Sequence, residues 1–169
     1  MQFTSVLAKF DSPLWGFHVK VPENVMACFL KENHKRVVCT LNGAVTFQAA
    51  LMPNRNGYHF ININKQTRDK LKLKIGTEVH VELKKDESKY GLPLPEEMEV
   101  LLQQDPEGDE LFHALTPGKQ RSLLYIIGKP KRSETRLKKA VVIMEHLKVN
   151  KGKIDFRRLN EDMKEANKI

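Results

Sequence analysis

The amino-acid sequence predicts an α+β protein in which a small β-barrel precedes an α-helical module. Up to about residue 85, apolar and polar residues alternate, which is typical of strands with one face in a core. Beyond residue 95, apolar residues recur at helical spacing instead. A polar stretch followed by Gly91-Leu-Pro-Leu-Pro95 separates the two patterns. We therefore expect a barrel domain at 1–88 and a helical module at 92–169.

Alternating runs predict the barrel strands, at 17–21, 37–41, 45–51, 58–63 and 79–83. Asn42-Gly43 lies between two of these runs and is a strong signal for a two-residue hairpin. The stretch 54–57 provides a similar turn before the run 58–63. Short helices are predicted at 22–31, where a proline occupies the first turn, and at 65–71, closed by Gly76.

The barrel half contains an internal repeat with a period of 42 residues. The shift superposes Val19 on Ile61, Val21 on Ile63, Phe29 on Leu71, Val37 on Val79, Cys39 on Val81 and Leu41 on Leu83. Each copy consists of a strand, a short helix and a second strand. Two such units related by a pseudo-twofold axis favour a small closed or split barrel, because closure removes most of the exposed sheet edge.

Helical spacing predicts further helices at 95–104, 109–115, 117–127, 133–149 and 155–168. Thr116-Pro117 marks the start of the third, because threonine is a good N-cap and proline is favoured directly after it. The fourth has its apolar residues on one stripe, formed by Leu137, Ala140, Val141, Met144 and Leu147. The second half of the chain is therefore predicted to be all helical.

Composition and cysteine usage restrict the class of protein. No apolar run in the 169 residues approaches the length of a membrane span, and the first residues lack the pattern of a signal peptide. Cys28 and Cys39 form no disulfide framework and are interpreted as small buried hydrophobes with reduced thiols. We expect a cytoplasmic protein without membrane insertion.

The net charge of +8 is unevenly distributed. Residues 91–116 carry a net charge of −7, and residues 117–158, which follow directly, carry +10. The acidic segment can therefore neutralise part of the basic one within the chain. Solvated helix faces of mixed charge and a surface that binds anions both remain open as interpretations.

Catalytic and cofactor motifs do not occur in the sequence. It lacks the phosphate-binding loop, the dinucleotide-binding glycine pattern and the nucleophile elbow. Its six histidines lie on different predicted elements without the spacing of metal ligands. No catalytic residue, metal ligand or cofactor is therefore assigned.

The most promising chemistry lies in a basic turn, residues 129–139. Pro130 ends one helix and Ser133 is a good N-cap for the next, so free backbone N–H groups are expected among basic side chains, as in helix N-termini that bind anions. The hypothesis assigns anion or partner binding to Lys129, Lys131, Arg132, Ser133, Thr135, Arg136 and Lys139. The alternative is a structural turn in which Arg136 pairs with an acid from 96–110.

Two stretches of the chain resemble known families. Residues 51–68 and 76–81 resemble a small barrel domain of unknown function found in bacterial proteins. Leu94-Pro-Glu-Glu, Asp105-Pro, Phe112, Leu115-Thr-Pro and Ser133-Glu-Thr-Arg136 resemble the helical module of the YdeI/OmpD-associated, or bacteriocin-protection, family. The resemblance covers about residues 3–150 and implies a double-split barrel similar to the AbrB and MazE folds. It implies no catalytic residues and no cofactor.

Three functions follow as hypotheses. The first is a non-enzymatic intracellular binding protein with a role in bacteriocin or stress protection, which rests on the resemblance and on the lack of catalytic motifs. The second is a nucleic-acid-binding regulator that uses the barrel, and the third is an enzyme that acts on a small anionic molecule at the Ser133 helix start. The corresponding partners are an unknown protein or anionic ligand, or nucleic acid, bound by a monomer or weak dimer.

Overall fold

Strands and helices are segregated along the chain, as the change in periodicity predicts. A computed structural model describes residues 1–12 and 16–168. The chain divides into two units, Met1–Glu87 and Ser88–Ile169. The first unit holds the strands and two short helices, and the second is helical. The predicted α+β class is therefore confirmed.

The first unit is a single antiparallel sheet that curls into a nearly closed barrel. Its strands are β1 (Gln2–Lys9), β2 (Phe17–Val21), β3 (Arg36–Leu41), β4 (Val45–Ala50), β5 (Met52–Pro53), β6 (His59–Asn62) and β7 (Glu78–Lys85). Neighbouring strands follow the order β4-β3-β7-β1-β2-β6-β5, and β4 also approaches β6. Two helices, α1 (Glu23–Leu30) and α2 (Lys65–Leu71), connect strands of the barrel.

Alternation along the strands fills the barrel core. In β7, for example, Val79, Val81 and Leu83 are buried while Glu78 and His80 are exposed. α1 adds Val25, Met26 and Phe29 to the same core. Cys39 is buried in it as expected, and burial raises the pKa of its thiol to about 12. Cys28 is exposed, so its interpretation as a buried hydrophobe is wrong.

Two details of the barrel differ from the prediction. β1 was not predicted, yet it lies between β7 and β2 in the sheet. Leu7 is its only fully buried residue, and Val6 is half exposed, which leaves little apolar alternation to detect. In addition, α2 ends at Lys72, which adopts the left-handed conformation, whereas Gly76 serves the turn into β7 and donates its N–H to Leu7 O.

The second unit contains α3 (Glu96–Gln104), α4 (Pro106–His113), α5 (Pro117–Gly128), α6 (Ser133–Val149) and α7 (Phe156–Ala166). α6 is the central helix and packs against each of the other four. The predicted start of α5 is confirmed, because the Thr116 side chain accepts a hydrogen bond from the Lys119 N–H. α4 starts earlier than predicted, since Asp105 caps it through the Gly108 N–H.

The buried face of α6 also differs from the predicted stripe. Leu137 and Val141 are 43% and 42% exposed, whereas Ile143 and His146 are buried. Contact with four helices buries a broad face that a single stripe does not describe. Within the described residues, no helix is both long enough and apolar enough to cross a membrane.

Candidate functional site

The basic turn is held in place by a buried ion pair between Arg136 and Glu97. Arg136 Nε lies 3.0 Å from Glu97 Oε1 and 3.1 Å from Oε2, and Nη2 lies 2.9 Å from Oε1. Arg136 Nη1 donates to the carbonyl oxygens of Pro130 at 3.1 Å and Lys131 at 2.7 Å. A single guanidinium therefore joins α3, the turn and α6.

Glu97 is the acceptor at the centre of this arrangement. Its side chain is 9% exposed, and its Oε1 also accepts a hydrogen bond from Ser133 Oγ at 2.6 Å. The hydrogen bonds from Arg136, and then the one from Ser133, lower the pKa of Glu97 to about 2. The same pairing raises the pKa of Arg136. The carboxylate is therefore ionised at any physiological pH.

Ser133 and Arg136 thus have internal partners, as the structural alternative for the turn expects. The prediction that Ser133 caps α6 is wrong: Arg132 occupies the N-cap position without a side-chain hydrogen bond, and Ser133 is the first helical residue. Its hydroxyl donates to Glu97 instead of accepting from the backbone. Nearly all donors of Arg136 are occupied, so an incoming anion would have to compete with Glu97.

The other five residues of the predicted site are arranged differently. Lys129, Lys131 and Arg132 are exposed, and Thr135 and Lys139 are partly buried. Among the described residues, none of the four cations in this set has a carboxylate within ion-pair distance. They therefore supply the positive charge that remains on the turn.

A groove of about 430 Å³ opens beside the turn, and we call it the α3–α5 groove. It is lined by Leu92, Pro93, Leu94, Pro95, Glu96, Glu97, Leu124, Tyr125, Gly128, Lys129 and Arg136. Its volume lies within the range of small-ligand sites. The lining combines an apolar wall with a few polar groups, which is the usual composition of a binding site.

The exposed functional groups of the groove are Tyr125, Lys129 and Glu96. Tyr125 is 61% exposed although it belongs to a helix with a buried face. The Glu97–Arg136 pair is neutral as a unit, so Lys129 and Glu96 are the charges that remain in the lining. With Lys131 and Arg132 on the adjoining turn, the surroundings of the groove are net positive.

Glu97 and the apolar wall cannot be identified from the sequence alone. α3 begins at Glu96, and the helix dipole is a sufficient explanation for a run of acids in its first turn. The one available signal was the acidic segment itself, which limited the partner of Arg136 to 96–110. The wall could not be predicted, because it depends on how 92–97 packs beside the end of α5.

The geometry does not activate Ser133 as a nucleophile. An activated hydroxyl needs a neighbouring base that can take its proton. Glu97, the group that accepts from Ser133, has a pKa of about 2 and is a very weak base. The described residues contain no group of three or more His, Cys, Asp or Glu side chains that could hold a metal ion.

The remaining histidines of the helical unit have structural partners. His146 is buried, with Nδ1 3.2 Å from Asp162 Oδ2, and its Nε2 accepts from the Asp155 N–H. His113 Nε2 lies 2.7 Å from the Tyr90 hydroxyl. His146 therefore joins α6 to α7, and His113 joins α4 to the segment before α3. Neither histidine lines the groove.

Comparisons with known proteins place both halves of the chain. Residues 3–83 match a family model described as a domain of unknown function (DUF1905). Residues 92–150 match the family described as bacteriocin-protection, YdeI or OmpD-associated, and this match covers the groove and the basic turn. No curated protein matches the chain. The chain therefore carries a domain of unknown function at residues 3–83, followed at residues 92–150 by the helical module of the bacteriocin-protection, YdeI or OmpD-associated family.

Proposed function

We propose that the protein is a non-enzymatic binding protein that acts in bacteriocin or stress protection, and that the α3–α5 groove is its binding site. The observation that carries the proposal is the apolar groove with exposed Tyr125 and Lys129 at its edge. The association with bacteriocin protection comes from the description of the family. Two free thiols support the proposed location in the cytoplasm.

The occupant of the groove is a protein segment that places a large apolar side chain next to a carboxylate. Leu92, Pro93 and Leu94 offer the apolar wall, and an aromatic or aliphatic side chain buried there gains from removal of apolar surface from water. Lys129 supplies the complementary charge, because Arg136 is occupied by Glu97 and two carbonyl groups. The rigid ion pair keeps the wall of the groove in place without ligand.

The experiment uses a matched pair of small probes on the full-length, isotope-labelled protein. N-acetyl-phenylalanine carries a carboxylate, and its amide is the same molecule without the charge. We expect the acid to shift the backbone NMR signals of Tyr125, Gly128 and Lys129, and to bind about threefold more tightly than the amide, as one exposed ion pair provides.

Two variants decide whether that preference comes from the groove. Lys129→Ala should abolish the difference between the acid and the amide. Lys164→Ala removes the same charge from the exposed end of α7, outside the groove, and should leave the difference intact. Equal binding of the acid and the amide to the unmodified protein, or signal shifts confined to other regions, would overturn the proposal.

For the barrel, we propose the double-split, AbrB-like arrangement with a pseudo-twofold repeat. The strand registers support it. Val19 pairs with Ile61 and Thr40 pairs with Glu82, and in both pairs the partners are 42 residues apart. A 42-residue shift also exchanges the pairs Cys39–Leu83 and Leu41–Val81. The outer strands depart from this symmetry, because the β3–β4 register differs by two residues from the one that the shift of β1–β7 gives.

A further inference from the structure

A second basic surface lies on the barrel, where the end of β1 meets α2. Lys9 pairs with Phe17 across β1 and β2, and its Nζ lies 5.4 Å from the centre of the Phe17 ring. The guanidinium carbon of Arg68 lies 3.6 Å from the same ring centre. Two cations that are far apart in the sequence therefore meet at one aromatic side chain.

Backbone contacts bring more lysines to this region. The Ile63 N–H donates to Phe17 O immediately before α2, and Leu7 exchanges hydrogen bonds with Gly76 and Thr77 immediately after it. α2 and the turn that follows it are therefore fixed beside the end of β1. We define the β1–α2 basic surface as Lys9, Lys65, Arg68, Lys72 and Lys74, of which Lys65, Arg68 and Lys72 share one face at helical spacing.

These cations lack acidic partners within the described part of the chain. All of them are exposed except Arg68, which is half-buried, and none takes part in an ion pair among the described residues. Asp11, Asp69 and Glu78 are the nearest acids in sequence. The surface therefore has a net positive charge that no internal partner neutralises.

Arg68 is placed in an unusual way. Its Nε is buried and has no hydrogen-bond partner, and its guanidinium group lies at stacking distance from Phe17. Arg136 is bound by a carboxylate and by carbonyl oxygens. Among the described residues, the Arg68 side chain has no partner of either kind. An aromatic ring holds the group in place, and its Nη1 and Nη2 atoms, which make no hydrogen bond among the described residues, remain open to phosphate oxygens.

We propose that the β1–α2 basic surface binds single-stranded nucleic acid. The lysines would contact phosphates along the strand, which is the main source of affinity in such complexes. The planar Arg68 guanidinium, supported by Phe17, would stack on a base. A planar cation on an aromatic support suits bases better than it suits acidic side chains or lipid headgroups, which have no face to stack on. This surface is separate from the proposed groove, so either proposal can fail without the other.

The test measures binding of the full-length protein to fluorescent oligo-dT and oligo-U of about 20 nucleotides, which exceeds common site sizes. Fluorescence anisotropy gives the affinity between about 50 and about 200 mM salt. The triple variant Lys65→Ala, Lys72→Ala, Lys74→Ala changes only exposed side chains. We expect this variant to bind about tenfold more weakly at low salt. The slope of log affinity against log salt concentration should become shallower by about 2, as the loss of three phosphate contacts predicts.

A matched triple variant controls for net charge. Lys31→Ala, Lys35→Ala, Lys84→Ala removes the same charge near the other end of β7, about 25 Å away for a strand of this length. It should keep affinity within about twofold. Arg68→Lys retains the charge but loses the planar face, and should weaken binding to the oligonucleotides about threefold while the melting temperature stays unchanged.

Four outcomes would overturn the proposal. They are absence of oligonucleotide binding at low salt, equal losses in the two triple variants, tighter binding to phosphatidylcholine vesicles with phosphatidylserine than to the oligonucleotides, and displacement by poly-glutamate at matched charge. The second would mean that only net charge attracts the strand. The last two would assign the surface to a membrane or to an acidic protein instead.

Discussion

The two basic regions of this protein differ in how their arginines are held. In the basic turn of the helical unit, Arg136 has a buried carboxylate and two carbonyl groups as partners. On the β1–α2 basic surface, Arg68 has an aromatic ring below it and an Nε without a partner. Hydrogen bonds occupy the first arginine, whereas the side chain of the second makes none among the described residues.

This difference shows why charge density along the sequence is a poor guide to binding. The basic turn is the densest run of positive charge in the chain, yet one of its partly buried cations, Arg136, is neutralised by Glu97. All the cations of the β1–α2 basic surface except Lys9 lie within residues 65–74, and the pairing of β1 with β2 and the position of α2 add Lys9 from a distant part of the chain. Ion pairing and topology therefore decide which positive charge is available.

The largest expected effect is the loss of Glu97. Glu97→Ala leaves the guanidinium of Arg136 and the hydroxyl of Ser133 without their acceptor, which should lower the free energy of unfolding by about 2–3 kcal/mol. Chemical denaturation measures it. Glu99→Ala is the matched control, since Glu99 is exposed on the same helix, and should change the free energy by less than about 0.5 kcal/mol. Equal values for the two variants would show that the ion pair does not stabilise the turn.

The second prediction concerns Arg136 itself. Arg136→Met keeps much of the side-chain length but leaves the Glu97 carboxylate with Ser133 as its remaining side-chain donor, so the melting temperature should fall clearly. Arg132→Met changes an exposed arginine on the same turn that forms no ion pair among the described residues, and should leave the melting temperature unchanged. If both variants melt alike, Arg136 does not have the structural role assigned to it.

The sequence predicts more of the fold than of the candidate site. Alternating apolar residues and helical spacing indicate the fold class, the central strands and the helices. An element that buries one face carries apolar residues at a regular period. β1 escaped detection because Leu7 is its only fully buried residue. α4 starts before the predicted residue 109, because Asp105 caps it and Pro106 occupies its first turn, and neither residue adds to the apolar spacing.

The candidate site could be predicted only as a set of residues. The basic turn can be recognised from its many lysines and arginines. The acidic segment before it narrows the possible partners of Arg136 to a few carboxylates. Which acid pairs with it depends on the packing of α3 against α6, and the groove depends on the packing of 92–97 against α5. Neither of these two packing contacts produces a periodic pattern or a motif that can be recognised in a single sequence.

The third prediction is a pH dependence of smaller size. The pKa of Glu97 is lowered from its ordinary value of 4.5 to about 2, so the ion pair contributes its full stability above about pH 4.5 and loses it as the pH falls toward 2. The melting temperature of the unmodified protein should therefore exceed that of Glu97→Gln by a constant amount near neutral pH. The difference in melting temperature should shrink as the pH falls from 4.5 toward 2. A difference that does not change between pH 5 and about 2 would contradict the lowered pKa.

The smallest expected effect separates the two arginines most directly. Arg68→Met should change the free energy of unfolding by less than about 0.5 kcal/mol, because the lost cation–π contact with Phe17 is offset by removal of a buried Nε without a partner. The same substitution at Arg136 destabilises the protein, as argued above, because it removes satisfied hydrogen bonds. Arg68→Met should nevertheless weaken oligonucleotide binding in the anisotropy assay, whereas Arg136→Met should not. A strongly destabilised Arg68→Met variant would mean that Arg68 stabilises the barrel, and the contrast between the two regions would not hold.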